Sequence, residues 1–230
     1  MKIGIIGEFD SSFKPHIGTN DALLHSSSYL KLGVEWEWIS TEEVMSNKEL
    51  ILKTYNGFWI APGSPYKNMT GAMEVIKHCR NHNVPLLGTC GGYQHIVIEF
   101  ARNVLLMKDA EHAEYDPYAS NLVVNNLVCS LAGKTLEIIL VEGSKTHQIY
   151  GGERIQEKYY CNFGLNPKYQ LRLHEAGLET VGFDDDNESR IVEISSHKFF
   201  VGTLFVPQMN SKEEQPHCLI TEFIRQVATT

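Results

Sequence analysis

The segment Val84–Gln94, VPLLGTCGGYQ, constrains the chain most. An apolar strand-forming run enters Gly88-Thr89-Cys90-Gly91-Gly92, and a helical pattern follows at once. A tight strand-to-helix turn lifts the central side chain above the edge of a sheet, and glycines on both sides admit unusual dihedrals and leave room for a substrate. The helix N-terminus beneath favours a thiolate and offers N–H groups to an oxyanion. A lone cysteine is usually a small buried hydrophobe. The flanking glycines and the strand-to-helix setting instead mark Cys90 as a nucleophile.

The elbow sits in a chain of alternating elements. Lys2–Ile6 reads as a buried strand, Asn20–Leu32 as a helix, Val34–Ile39 as a strand and Gly57–Ala61 as another buried strand. Met69–His82 and Gln94–Asn103 read as helices around the strand Val84–Leu87. This alternation predicts βαβ units and a parallel sheet. After about residue 120 the pattern changes. Asn121–Val128, Thr135–Val141 and Ile191–Glu193 read as shorter, half-exposed strands in a mixed or antiparallel addition, which rejoins the main sheet at Phe199–Phe205. Asp184–Asn187 is a polar turn. With no linker, repeat or low-complexity stretch, one domain over residues 1–230 is expected.

A second loop, Ala61-Pro62-Gly63-Ser64-Pro65, follows the strand GFWI. Neighbouring parallel strands bring the loops at their C-terminal ends side by side. Backbone N–H groups around Gly63 and Ser64 are thereby placed to face Cys90 and complete an oxyanion hole.

Charge narrows the partners. Lys and Arg total 20 against 28 Asp and Glu, a net charge of −8. That balance argues against a nucleic-acid partner, which requires a basic footprint. No apolar run reaches the ~18 residues of a membrane span, and the N-terminal run is too short for a secretory signal. The five cysteines are scattered without C-x-x-C spacing, which gives no support to a metal or cofactor and suits reduced thiols in the cytoplasm.

At these residues the chain resembles the class I glutamine amidotransferases, in their CTP synthase branch. GTCGGYQ is similar to that family's G-I-C-L-G-M-Q elbow, and Ile98–Val104 (IEFARNV) matches a family block letter for letter. Ala110–Pro117 (AEHAEYDP) resembles A-N-S-T-E-F-D-P, APGSPY stands where the family has P-G-G-F-G, and Lys158–Asn162 (KYYCN) resembles R-Y-E-V-N. Gly143-Ser144, Tyr150-Gly151, Phe199–Gly202 and Pro216-His217 match further blocks, so the resemblance spans nearly the whole chain. It implies a three-layer, flavodoxin-like α/β fold with a mostly parallel sheet and added antiparallel strands. It also implies that glutamine or a γ-glutamyl compound is bound by Gly63, Ser64, Gly91, Gln94, Glu114, Lys158 and Tyr159.

The resemblance fails where the family's last strand ends Q-F-H-P-E-F. Here Leu204–Met209 reads LFVPQM, so the histidine position is Val206 and the glutamate position is Gln208. Lys158 replaces an arginine, keeping the charge without the bidentate fork. Removing the base from a triad typically costs about 10⁴- to 10⁶-fold in turnover. Among the ten histidines His112, two residues before Glu114, is the foremost candidate for a substitute base, ahead of His95, His147 and the acid Glu111. No phosphate-loop motif of the CTP synthase amidoligase domain is present, so the chain is not expected to make CTP by itself. Three functions fit: an atypical Cys90-dependent hydrolase of glutamine or a γ-glutamyl amide, a pseudoenzyme that binds such a ligand or docks on a synthase, and an ammonia-donating subunit for a synthase partner.

Overall fold

The apolar runs KIGII, GFWI, LLGT and FVGT are buried almost without interruption. Strands covered on both faces are the mark of a parallel sheet between helical layers. The computed structural model describes residues 1–229. In chain order its elements are β1 (Lys2–Ile6), α1 (Lys14–Leu30), β2 (Glu35–Ile39), α2 (Thr41–Thr54), β3 (Gly57–Ile60), α3 (Met69–His82), β4 (Leu86–Thr89) and α4 (Gly91–Asn103). There follow β5 (Ala110–His112), β6 (Asn121–Asn126), β7 (Thr135–Leu140), α5 (Lys145–Tyr150), β8 (Arg154–Lys158) and β9 (Phe163–Leu165). The chain continues through α6 (Pro167–Glu175), β10 (Glu179–Phe183), β11 (Ser189–Glu193), β12 (Phe200–Thr203), a 3₁₀ turn at Pro207–Asn210 and α7 (Cys218–Ala228).

Nine strands form one sheet in the order β2-β1-β3-β4-β12-β11-β10-β7-β8. From β2 to β12 every pairing is parallel, and from β12 to β8 every pairing is antiparallel. Helices α1, α5 and α7 pack together, as do α2, α3 and α4, and the two groups flank the sheet. The register of β12 on β4 sets Thr203 beside Thr89. The segment after β12 therefore leaves the sheet next to Cys90.

Several elements depart from the pattern read in the sequence. Helix α1 starts at Lys14, with Pro15 in its first turn pre-setting a helical φ. Its first turn buries Pro15, His16 and Thr19 rather than aliphatic residues, so hydrophobic periodicity does not reveal it. Helix α2 was signalled by Ser40, whose Oγ accepts from the Glu43 N–H (3.1 Å), the start of a capping box. Strand β6 belongs to a separate three-stranded sheet, β5-β6-β9. Strand β11 is buried throughout, not half-exposed, because it is interior to the large sheet.

Candidate active site

Cys90 follows β4 with φ 52° and ψ −105°, a conformation that costs an L-residue about 1–3 kcal/mol and persists only where its surroundings enforce it. They do so here. The Cys90 N–H donates to the Thr203 carbonyl (2.8 Å), and its own carbonyl accepts the Gln94 N–H (3.2 Å) as α4 begins. A Cβ on Gly91 would lie 2.7 Å from the Gly63 carbonyl oxygen, and one on Gly92 would lie 2.2 Å from that of Ile60. Only glycine lets the start of α4 approach β3 and its following loop so closely.

That approach builds the sulfur's environment. The N–H groups of Gly63 and Gly91 donate to Cys90 Sγ, and the Cys161 side chain hydrogen-bonds to it. Cys161 also lies 3.5 Å from the Leu204 carbonyl. The Cys161 hydrogen bond, reinforced by the two backbone N–H groups and opposed by burial and by the Glu114 carboxylate, holds the Cys90 thiol below its ordinary pKa. Cys161 is driven the other way, well above the ordinary thiol value, first by that same bond and then by burial. Of the two, Cys90 is the more acidic thiol.

The Gly63 backbone lies against the Cys90 sulfur. The Ser64 side chain lies instead between two acceptors, Gln94 Oε1 (3.3 Å) and the Glu114 carboxyl. Burial raises the Glu114 pKa, and its Oε2 is buried with no hydrogen-bond partner. Such an oxygen suits an N–H or ammonium donor from a ligand. Gln94 is locked by three groups: its amide N–H donates to the Phe163 carbonyl (2.9 Å) and its Oε1 faces Ser64 and His112 Nε2 (3.0 Å).

His112 is engaged at both ring nitrogens. Its Nδ1 accepts the Glu114 N–H (3.0 Å), which leaves Nε2–H to donate to Gln94. Burial, and then His95, push its pKa down to about 3. No lone pair of this ring faces the thiol, so His112 holds the Gln94–Glu114 wall. His95 is likewise committed, with Nδ1–H on the Gly91 carbonyl (2.7 Å) and Nε2 on the Tyr115 hydroxyl (3.0 Å). Glu111 pairs with Arg102 (2.8 Å).

At the positions where the resemblance leads to an expected histidine and glutamate, Val206 is fully buried and its N–H donates to the Lys158 carbonyl (2.9 Å). Gln208 donates to Thr19 Oγ1 (3.2 Å), while its Oε1 is buried and unpartnered. The structure does not bring Lys158 into the cluster: it is exposed, and Nζ reaches the Met209 carbonyl (3.4 Å). Tyr159 is buried with its ring against Phe205 (5.9 Å), and its hydroxyl has no partner.

Sequence reasoning passed over Cys161, although it lay inside the quoted block KYYCN. It also missed His16, which bolts α1 to the oxyanion loop: Nε2–H donates to the Pro62 carbonyl (2.8 Å) and Nδ1 accepts the Asp10 N–H (3.0 Å). The rings of Phe13 and Tyr160 meet edge to face (6.3 Å) between the two segments that touch the sulfur. Cys90 is only 4% exposed. A cleft of about 300 Å³ lies over Asp10, His16 and Gly63–Tyr66. The larger cleft, about 680 Å³, is bordered by α5 and α7 and reaches neither Cys90 nor Glu114.

A strained cysteine elbow, a glycine loop pressed against it and a parallel sheet that ends beside the sulfur define a class. The sequence pattern of the class-I glutamine amidotransferases fits residues 16–226, and the chain belongs to that family. Within it, the chain is 32% identical to the CTP synthase of Saccharolobus solfataricus over all of its own length and 45% of that protein. It is 34% identical to the CTP synthase of Carboxydothermus hydrogenoformans over 97% of its length and 44% of that protein. It therefore spans less than half the length of these curated relatives. The glutaminase domain of Trypanosoma brucei CTP synthase, solved with bound acivicin, superposes with a TM-score of 0.91 at 21% identity, covering 100% of this chain and 94% of that one. A glutamine amidotransferase from Thermotoga maritima gives 0.62 at 10% identity, covering 99% and 96%. Both likenesses concern the fold.

Proposed function

We propose that this chain attacks the side-chain amide of glutamine, or of a related γ-glutamyl compound, through Cys90, without an imidazole base. The observation that carries this reading is the sulfur's surroundings: two backbone N–H groups and the Cys161 side chain converge on it and favour the thiolate. A thiolate in this setting adds to the amide carbonyl. The N–H groups of Gly63 and Gly91 are aimed where the oxygen gains negative charge. The unpartnered Glu114 Oε2 offers an acceptor to the ligand's ammonium or amide. Water gives the departing nitrogen its proton, the C–N bond breaks to release ammonia, and the γ-glutamyl thioester that remains is hydrolysed to glutamate. With Val206 in the histidine position the departing nitrogen has no imidazole to protonate it, so turnover lies on the order of 10⁴- to 10⁶-fold below that of a complete triad. A separate synthase is a fitting acceptor for the released ammonia.

The second reading is ligand binding without turnover. It is favoured by the completeness of the loss at the far wall, where Val206 is apolar and fully buried and Gln208 bonds Thr19 instead of orienting a base. Ammonia release from glutamine, measured beside Cys90→Ala, separates the two. Release that vanishes in the variant supports the nucleophile. No release above the variant, with glutamine binding retained in both, supports the binder.

A further inference from the structure

The Cys90–Cys161 pair carries a chemistry that glutamine processing does not use. Both thiols are free and buried, and they share a hydrogen bond. They are anchored to adjacent residues of one segment: the Cys90 N–H on the Thr203 carbonyl at 2.8 Å, and Cys161 Sγ 3.5 Å from the Leu204 carbonyl. Two buried thiols held on neighbouring carbonyls of one segment are placed to approach bonding distance. No thiol stands among the neighbours that shift Cys79 or Cys218, and Cys129 is exposed on a loop.

We propose that Cys90 and Cys161 form a hydroperoxide-reactive pair that closes a reversible intramolecular disulfide across the active site. The Cys90 sulfur attacks one oxygen of hydrogen peroxide. The O–O bond breaks, the leaving hydroxide takes up a proton as water, and Cys90 becomes a sulfenic acid. The Cys161 sulfur then attacks the Cys90 sulfur. The S–S bond forms, the S–O bond breaks, and hydroxide leaves with the Cys161 proton as a second water. Two thiols lose two electrons and one peroxide gains them. The greater acidity of Cys90 assigns the roles, since the thiolate is the attacking species and the neighbouring thiol resolves it. The closed disulfide removes the nucleophile until a dithiol reduces it. Its formation is independent of any turnover of glutamine.

The test treats the full chain with hydrogen peroxide, blocks remaining thiols with iodoacetamide and maps the digest by mass spectrometry without reduction. The expected result is a Cys90 peptide linked to a Cys161 peptide, with two thiols lost and both restored by dithiothreitol. In Cys161→Ser the linked peptide is absent and dimedone captures Cys90 as its sulfenic acid. If that variant fails to fold, the wild-type map decides alone. Sulfinic acid on Cys90 beside an unoxidised Cys161, a disulfide joining other cysteines, or two unchanged thiols overturns the proposal.

Discussion

The two walls of the site are built from different materials. The elbow wall is backbone: a strained Cys90, glycines at 91 and 92 pressed against the carbonyls of Gly63 and Ile60, and N–H groups aimed at the sulfur. The far wall, after β12, is side chain: its function in the family rests on which residues occupy positions 206 and 208. Here the backbone of that wall is held, with Val206 N–H on the Lys158 carbonyl, and Val and Gln occupy those two positions. A backbone-built feature cannot be altered without disturbing the fold, whereas a side-chain function can be lost by two substitutions in an intact scaffold. On the function proposed above, nucleophile and base are separable, and the Cys161 thiol supports the first without replacing the second.

The sharpest break would come from Cys90→Ala, which should abolish ammonia release and labelling by a glutamine-shaped electrophile such as a diazoketone analogue. Labelling of another residue at the same rate would move the site elsewhere. Rebuilding the far wall should have the next largest effect. Val206→His combined with Gln208→Glu restores an imidazole and its orienting carboxylate, and is expected to raise ammonia release by on the order of 10²-fold or more. A folded double variant with unchanged turnover would mean that the elbow is not poised as described.

Gly92→Ala tests the elbow wall. Its new Cβ would meet the Ile60 carbonyl oxygen at 2.2 Å, backbone against backbone, so a loss of about 3 kcal/mol or more in denaturant unfolding is expected. Wild-type stability in this variant would show that the walls are not set by backbone approach.

The smallest effect is on acid stability. Burial holds His95 at about 4 and His112 at about 3, each below the ordinary histidine value. Both remain neutral when folded but take up protons once unfolded below pH ~6.5, so unfolding gains protons and stability falls as pH drops. Each contributes a slope of up to about 1.4 kcal/mol per pH unit between its folded value and 6.5. Thermal melts from pH 7 to 5 should show the decline, and His112→Gln should flatten it.

The same contrast explains what was legible in the sequence. The parallel half of the sheet and the strand-to-helix turn at Cys90 were legible because glycine spacing and apolar runs record backbone constraints directly. The partnership of Cys161 with Cys90 was not, because it depends on the segment after β8 lying against the segment after β12, through Val206 N–H on the Lys158 carbonyl and Cys161 Sγ on that of Leu204. His112 misled for a related reason. Its proximity to Glu114 in the chain was visible, but the ring's two hydrogen bonds, which commit it to Gln94 and the Glu114 backbone, were not.

The most direct test is the pH dependence of Cys90 alkylation in the wild type and in Cys161→Ala, followed by mass spectrometry of the Cys90 peptide. The account predicts a wild-type inflection below that of an ordinary thiol, moving upward when Cys161 is removed because its hydrogen bond is the largest influence lowering the Cys90 pKa. An inflection at or above the ordinary thiol value, unmoved by the substitution, would contradict it.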